Sequence, residues 1–135
     1  MNKRRKTLLV EATVVLSVTL IAVVGMICLK DWINRREALL AMQQLGEKIV
    51  DYRRTEGSLP PEDTVRVLLD TVSGHVRLGR LTYRGPWITP DSPDNTILAY
   101  TQQTYHSFIV PNGYTVLYLN GQVEWLNTEE FDIPE

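Results

Sequence analysis

The chain carries a single cysteine, Cys28, so no disulfide framework and no thiolate metal site can form within it. Its only histidines are His75 and His106, and with no cysteine beside them outside the apolar N-terminal run a zinc site is not expected. No glycine-rich loop of the phosphate-cradling kind and no dinucleotide fingerprint occurs. Ser107, His106 and Asp94 are available as a hydrolytic set, but no nucleophile elbow or oxyanion motif accompanies them, so a non-enzymatic chain is expected. Internal repeats and low-complexity tracts are absent as well. Proline is missing from residues 7–54, and charge is nearly missing from residues 7–29, where Glu11 is the one charged side chain.

Those last two absences define what is present. Residues 7–29, TLLVEATVVLSVTLIAVVGMICL, form an apolar run without a helix breaker. At about 1.5 Å per residue such a run covers a hydrocarbon core of about 30 Å with a little tilt. Upstream lie Lys3, Arg4, Arg5 and Lys6, a basic block that predicts a cytoplasmic N-terminus and places residues 31–135 outside the cytoplasmic membrane. No small-x-small triplet closes the run, and Met26 and Ile27 are too bulky before Cys28 for lipoprotein processing, so the segment reads as a permanent anchor. Glu11 is its anomaly: a carboxylate at mid-membrane costs up to about 2.5–3.5 kcal/mol, less near an interface. It either snorkels toward the headgroups or meets a positive group on a neighbouring subunit.

The expected division is a basic segment (1–6), a transmembrane helix (7–29), its extramembrane continuation (30–55) and a head (56–135). The whole has a formal net charge of −2, with the basic block at one end and Glu124, Glu129, Glu130, Asp132 and Glu135 at the other. That asymmetry suits membrane topology better than nucleic-acid binding, and no nucleic-acid partner is expected. Residues 30–54 are rich in helix formers, with Leu39, Met42, Leu45, Ile49 and Tyr52 at helical spacing, so one helix runs out of the bilayer and turns amphipathic. Gly46 reads as a tolerated glycine, and Gly57 as the left-handed residue that ends the helix.

A second helix is expected over residues 61–72, with Pro61, Glu62 and Asp63 opening it and Val65, Leu68, Leu69 and Val72 on one face. Val76 and Leu78, then Leu81 and Tyr83, alternate with polar residues. Gly79-Arg80 between them is a hairpin turn or a bulge, the hairpin being preferred. On that reading His75, Arg77, Arg80 and Arg84 form a solvated strand face rather than a surface for an acidic partner. Strands are expected over 96–100, 114–119 and 122–126, the last two joined by Asn120-Gly121, the strongest short hairpin signal. A two-residue loop pairs Tyr118 with Val123 and Val116 with Trp125, which sets Val116, Tyr118, Val123 and Trp125 on the face toward the long helix. The fold class is α+β, a long N-terminal helix packed on a small antiparallel sheet.

The stretch TLLVEATVVL resembles the start of a type IV pilin or type II secretion pseudopilin, whose mature chains open on an aromatic residue, T-L-(I/V)-E and an apolar run. The passage LGEKIVDYRRTEGSLPPED is similar to the pseudopilin pattern at the end of that helix. ILAYTQQTYHSFIVPNGYTVLYLNGQVEWL resembles the C-terminal end of planctomycete-type prepilin-like proteins, with Asn120 and Gln122 where the pattern has Asp and His. The resemblance implies a pilin-like fold and a non-enzymatic envelope subunit in the bacterial inner membrane, its partners other pilin-like subunits or secretion-system proteins. It implies that Glu11 pairs with a neighbour's terminal amine and that a prepilin peptidase would cut between Lys6 and Thr7. The family has Gly where Lys6 stands and usually Phe where Thr7 stands, and these departures predict an uncut chain. An unprocessed single-pass anchor with a pilin-shaped head is the alternative. Some major pseudopilins hold calcium in a head loop; Asp91, Ser92, Asp94 and Asn95 offer oxygens for it, though an ordinary turn is the preferred reading and no cofactor is required.

Overall fold

The computed structural model describes residues 2–89 and 91–134; Pro90 of the expected loop and Glu135 of the acidic tail lie outside them. One helix, α1 (Lys3–Glu56), runs for 54 residues without interruption, a length of about 80 Å. Gly57 ends it at φ 78°, its N–H donating to the Arg53 carbonyl at 2.9 Å. Arg53 and Arg54 in the last turn complement the negative end of the helix. The two halves of α1 live in different surroundings. Every residue from Asn2 to Ile27 is exposed, whereas Ala38, Ala41, Met42, Leu45, Gly46 and Ile49 are buried under the head.

The head is a four-stranded antiparallel sheet in the order β1-β2-β3-β4, with β1 (Leu81–Tyr83), β2 (Ile97–Gln103), β3 (Gly113–Tyr118) and β4 (Val123–Asn127). One sheet face and a short helix, α2 (Glu62–Asp70), close over α1. Val65, Val72, Leu78, Leu98, Ala99, Leu117 and Leu119 join the α1 residues in one core. A head this small has too little apolar surface for a core of its own, and α1 supplies the missing layer. The other sheet face is covered by Phe131, whose ring lies 4.3 Å from that of Tyr114 and 5.2 Å from that of Tyr100.

Three expectations are corrected. Residues His75–Leu78 form a 3-10 turn, not a strand, so Gly79-Arg80 is no hairpin. Gly74 at φ 78° and Gly79 at φ 55° bend the backbone on both sides, and Leu78 drops into the core. The basic residues are consequently not one strand face: Arg77 reaches α1, its Nε 2.8 Å from Glu37 Oε2. Second, Gly46 is a close crossing, since a Cβ there would stand 2.7 Å from Leu117 Cδ1. The stripe on α1 is correspondingly built on small residues, Ala38, Ala41 and Gly46, while Leu39 and Tyr52 are only half-buried. Third, the β3–β4 register is shifted by one, pairing Leu117 with Val123 and Thr115 with Trp125. Tyr118 N–H donates to the Gln122 carbonyl at 2.9 Å, and Gly121 at φ 88° is the one loop residue with positive φ, so Leu119-Asn120-Gly121 is a three-residue loop with a left-handed glycine. The shift turns Val116 and Tyr118 away from α1 and brings Thr115, Leu117 and Leu119 toward it with Val123 and Trp125.

The requirement for glycine at the turn survives the new register. Gly121→Val should destabilise the full chain in detergent by about 1–3 kcal/mol through strained φ alone, and its Cβ would also press on Val50 Cγ2 at 3.2 Å. Gln122→Ala, at an exposed position, should stay within about 0.5 kcal/mol of wild type. Equal thermal midpoints for Gly121→Val and wild type would refute the turn.

Tyr83 carries an alkaline signature. Its Oη donates to the buried Pro60 carbonyl at 2.7 Å, and burial, with Tyr52 adding to it, pushes the phenol up to about 12. An unfolded tyrosine ionises near pH ~10, so the stabilising preference for the neutral phenol is complete below about pH 10 and lost as pH rises toward about 12. Tyr83→Phe should cost about 1 kcal/mol at pH 7 and flatten the loss of stability between about pH 10 and 12, read from denaturant midpoints across that range.

Candidate functional site at the head end nearest the apolar helix

The apolar half of α1 presents a uniform surface. Thr7, Thr13 and Thr19 turn their hydroxyls back on the helix, donating to the carbonyls of Lys3, Leu9 and Val15 at 3.1, 2.8 and 2.8 Å. Such i−4 bonds satisfy each hydroxyl within the helix itself. Ser17 and Glu11 do not share this pattern: both are exposed, and among the described residues Glu11 has no ion-pair partner. Lys6 and Thr7 both sit inside α1, and Lys6 N–H already donates to the Asn2 carbonyl at 3.2 Å. This helix is long and apolar enough to cross a membrane.

Where the apolar run gives way to the head, one loop reaches down to α1. Ser107, in the connection between β2 and β3, donates its backbone N–H to Asp31 Oδ2 at 2.6 Å, and its Oγ lies 3.2 Å from Cys28 Sγ. The same Oγ accepts the N–H groups of Ile109 at 3.0 Å and Val110 at 3.3 Å, which folds the loop tip into a tight turn. Asn112 closes the neck of the loop by accepting the Tyr105 N–H at 2.7 Å. Asp31 is buried beneath this turn. One helical turn further along, the Arg35 guanidinium lies 3.8 Å over the Trp125 ring, a cation–π contact that ties β4 to α1. Burial pushes the neighbouring Tyr105 phenol up and Asp31 adds to this, with Arg35 and Trp125 opposing.

The other sequence candidates lie elsewhere. His106 is exposed, and the Ser107 hydroxyl serves the turn rather than a base. Asp94 sits at the opposite end of the head, its carbonyl accepting the Asn120 N–H at 3.2 Å. The 119–121 turn packs on Val50 whereas Ser107 packs on Asp31, a separation along α1 of about 28 Å. Ser107, His106 and Asp94 are therefore not brought together. Around Asp91 the chain is held by turn hydrogen bonds, Ser92 N–H to the Thr89 carbonyl and Thr96 N–H to that of Pro93, at 3.1 and 3.0 Å. Among the described residues no three His, Cys, Asp or Glu side chains gather as metal ligands, so Asp91 and Asp94 are not joined by a third side chain of those types.

No family model, no curated protein and no solved structure matches the chain. The functional reading rests on this chain's own residues. Sequence reasoning passed over Asp31 and Arg35, which anchor the loop and β4. The available signal was an acid placed two residues beyond the last apolar position, Leu29, followed by Trp32.

Proposed function

We propose that the chain is a non-enzymatic, single-pass subunit of pseudopilin type, serving a type II secretion or type IV pilus-type envelope assembly. Its N-terminus would face the cytoplasm and its head the far side of the bacterial inner membrane. The observation that supports this most is the division of α1: one unbroken helix that is apolar over most of its first half and exposed as far as Ile27, and whose second half is the core layer of a small sheet. Exposed apolar surface of that extent is covered either by lipid or by like helices, and an assembling subunit uses both. A specific observation favours the unprocessed form of the alternative. Lys6 stands at the junction where the pattern has Gly, and the Lys6–Thr7 peptide lies within hydrogen-bonded helix rather than extended chain.

Two measurements separate these readings. Intact mass of the native protein should show the basic block retained, and a chain beginning at methylated Thr7 would establish processing. Glu11→Ala should insert as well as wild type while in-membrane crosslinking to pilin-like partners falls about tenfold, in line with about 1–2 kcal/mol for a polar contact between membrane helices. Unchanged crosslinking would remove Glu11 from assembly and favour the lone anchor.

A further inference from the structure

We propose that the turn at residues 106–110 is a second membrane contact, dipping into the headgroup layer beside α1 with Phe108 and Ile109 at the hydrocarbon boundary. The inference rests on the reading of α1 as a membrane anchor. Phe108 is 106% exposed and Ile109 71%, so neither serves the packing of the head. The turn that carries them is nonetheless fixed, by the Asp31 carboxylate on the Ser107 N–H and by the Ser107 hydroxyl on the Ile109 and Val110 N–H groups. A hydrogen-bonded turn that presents an aromatic and a β-branched apolar side chain to solvent beside the end of an exposed apolar helix enlarges the kind of apolar surface that marks an interaction or membrane site.

Its position says what covers them. The Ser107 hydroxyl contacts Cys28, inside the last turn of the apolar run, so the turn stands level with the edge of the segment that would cross the bilayer. On α1 at the same level Trp32 and Ile33 are exposed, and the Arg36 guanidinium lies 5.7 Å from the Trp32 ring. Aromatic side chains with arginine at the end of an apolar helix are the composition of a lipid–water interface. Phe108 and Ile109 thus continue an apolar surface that α1 already presents to lipid. Two attachment points, helix and turn, would fix the tilt of the head on the membrane, which a single helix does not.

The test uses the full chain with Cys28→Ser, reconstituted in vesicles of phosphatidylcholine and phosphatidylglycerol. Nitroxide labels are placed through Leu16→Cys, Ile109→Cys or Asp91→Cys, and relaxation by oxygen is compared with relaxation by a water-soluble nickel chelate. The label at 16 should favour oxygen and that at 91 nickel. The label at 109 should favour oxygen several-fold over the label at 91, and adding Phe108→Asp should abolish that preference. A nickel-dominated label at 109 beside an oxygen-dominated one at 16 overturns the proposal and leaves the anchor standing. Nickel access at 16 removes the anchor and the proposal together. Shielding of 109 from both reagents overturns it in favour of a protein partner, such as a second copy of the chain.

Discussion

Gly113→Val should lower the thermal midpoint of the head by about 12–24 °C, corresponding to about 3 kcal/mol in a domain of this size. Two effects of opposite sign meet at this position. Gly113 lies in β3, and a β-branched residue in a strand is ordinarily worth up to about 1 kcal/mol. Against it stands the backbone of β4. A Cβ on Gly113 would fall 2.2 Å from the Leu126 carbonyl oxygen and 2.6 Å from Trp125 Cζ2. Neither neighbour can yield cheaply: the carbonyl belongs to the ladder in which Gly113 pairs with Asn127, and the Trp125 ring is held under Arg35. The overlap therefore outweighs the propensity, and the strands must part to admit the side chain. The measurement is a thermal melt of the full chain in detergent followed by near-ultraviolet circular dichroism. A midpoint equal to wild type would mean that β4 does not cross Gly113 at this distance.

The second large effect belongs to the crossing of α1 and β3. Leu117→Ala should cost about 2–5 kcal/mol, the range for emptying a buried leucine site, because Leu117 has no exposed surface and sits over Gly46. Gly46→Leu fails from the other side. A gain in helix propensity of about 1 kcal/mol is overrun by a side chain whose first carbon already meets Leu117 Cδ1 at 2.7 Å. Combined, the two substitutions exchange volume across one contact, so the double variant should recover at least about 1 kcal/mol of the summed losses. Additive losses, within about 0.5 kcal/mol, would show that the two residues do not touch.

Much of the helical layer was legible in the sequence, because its signals are local. Residues 7–29 are apolar but for Glu11 and four hydroxyl residues, residues 30–54 carry a 3.6-residue apolar stripe, and Gly57 supplies the left-handed end; none of these depends on a distant partner. The C-terminal strands were legible for the same reason, with β2 running to Gln103, three residues beyond its expected end. Of the candidate site, the exposed apolar run and Glu11 follow from composition. The Asp31–Ser107 anchor does not, since it joins positions 76 residues apart.

The tertiary structure decided register and closeness. Residues 114–119 read YTVLYL, with Tyr114, Val116 and Tyr118 on one face and Leu117 and Leu119 beside Thr115 on the other, so alternation could not choose which face meets α1. Asn120-Gly121 left the choice open as well, because a two-residue loop and a three-residue loop both accept a left-handed Gly121. Burial of Leu117 and Leu119 against Leu45, Gly46 and Ile49 settled it, with Phe131 returning to cover the opposite face. Residues 75–78 were decided similarly: alternating Val76 and Leu78 fit a strand, but the left-handed Gly74 and Gly79 bend the segment onto α1 and Leu78 enters the shared core. Outside residues 75–78, the sequence by itself determined where the main elements are helical and where they are extended, since backbone periodicity is a property of neighbours. Which faces touch, and which glycine is a contact rather than a tolerance, was decided only when distant segments competed for the same surface of α1.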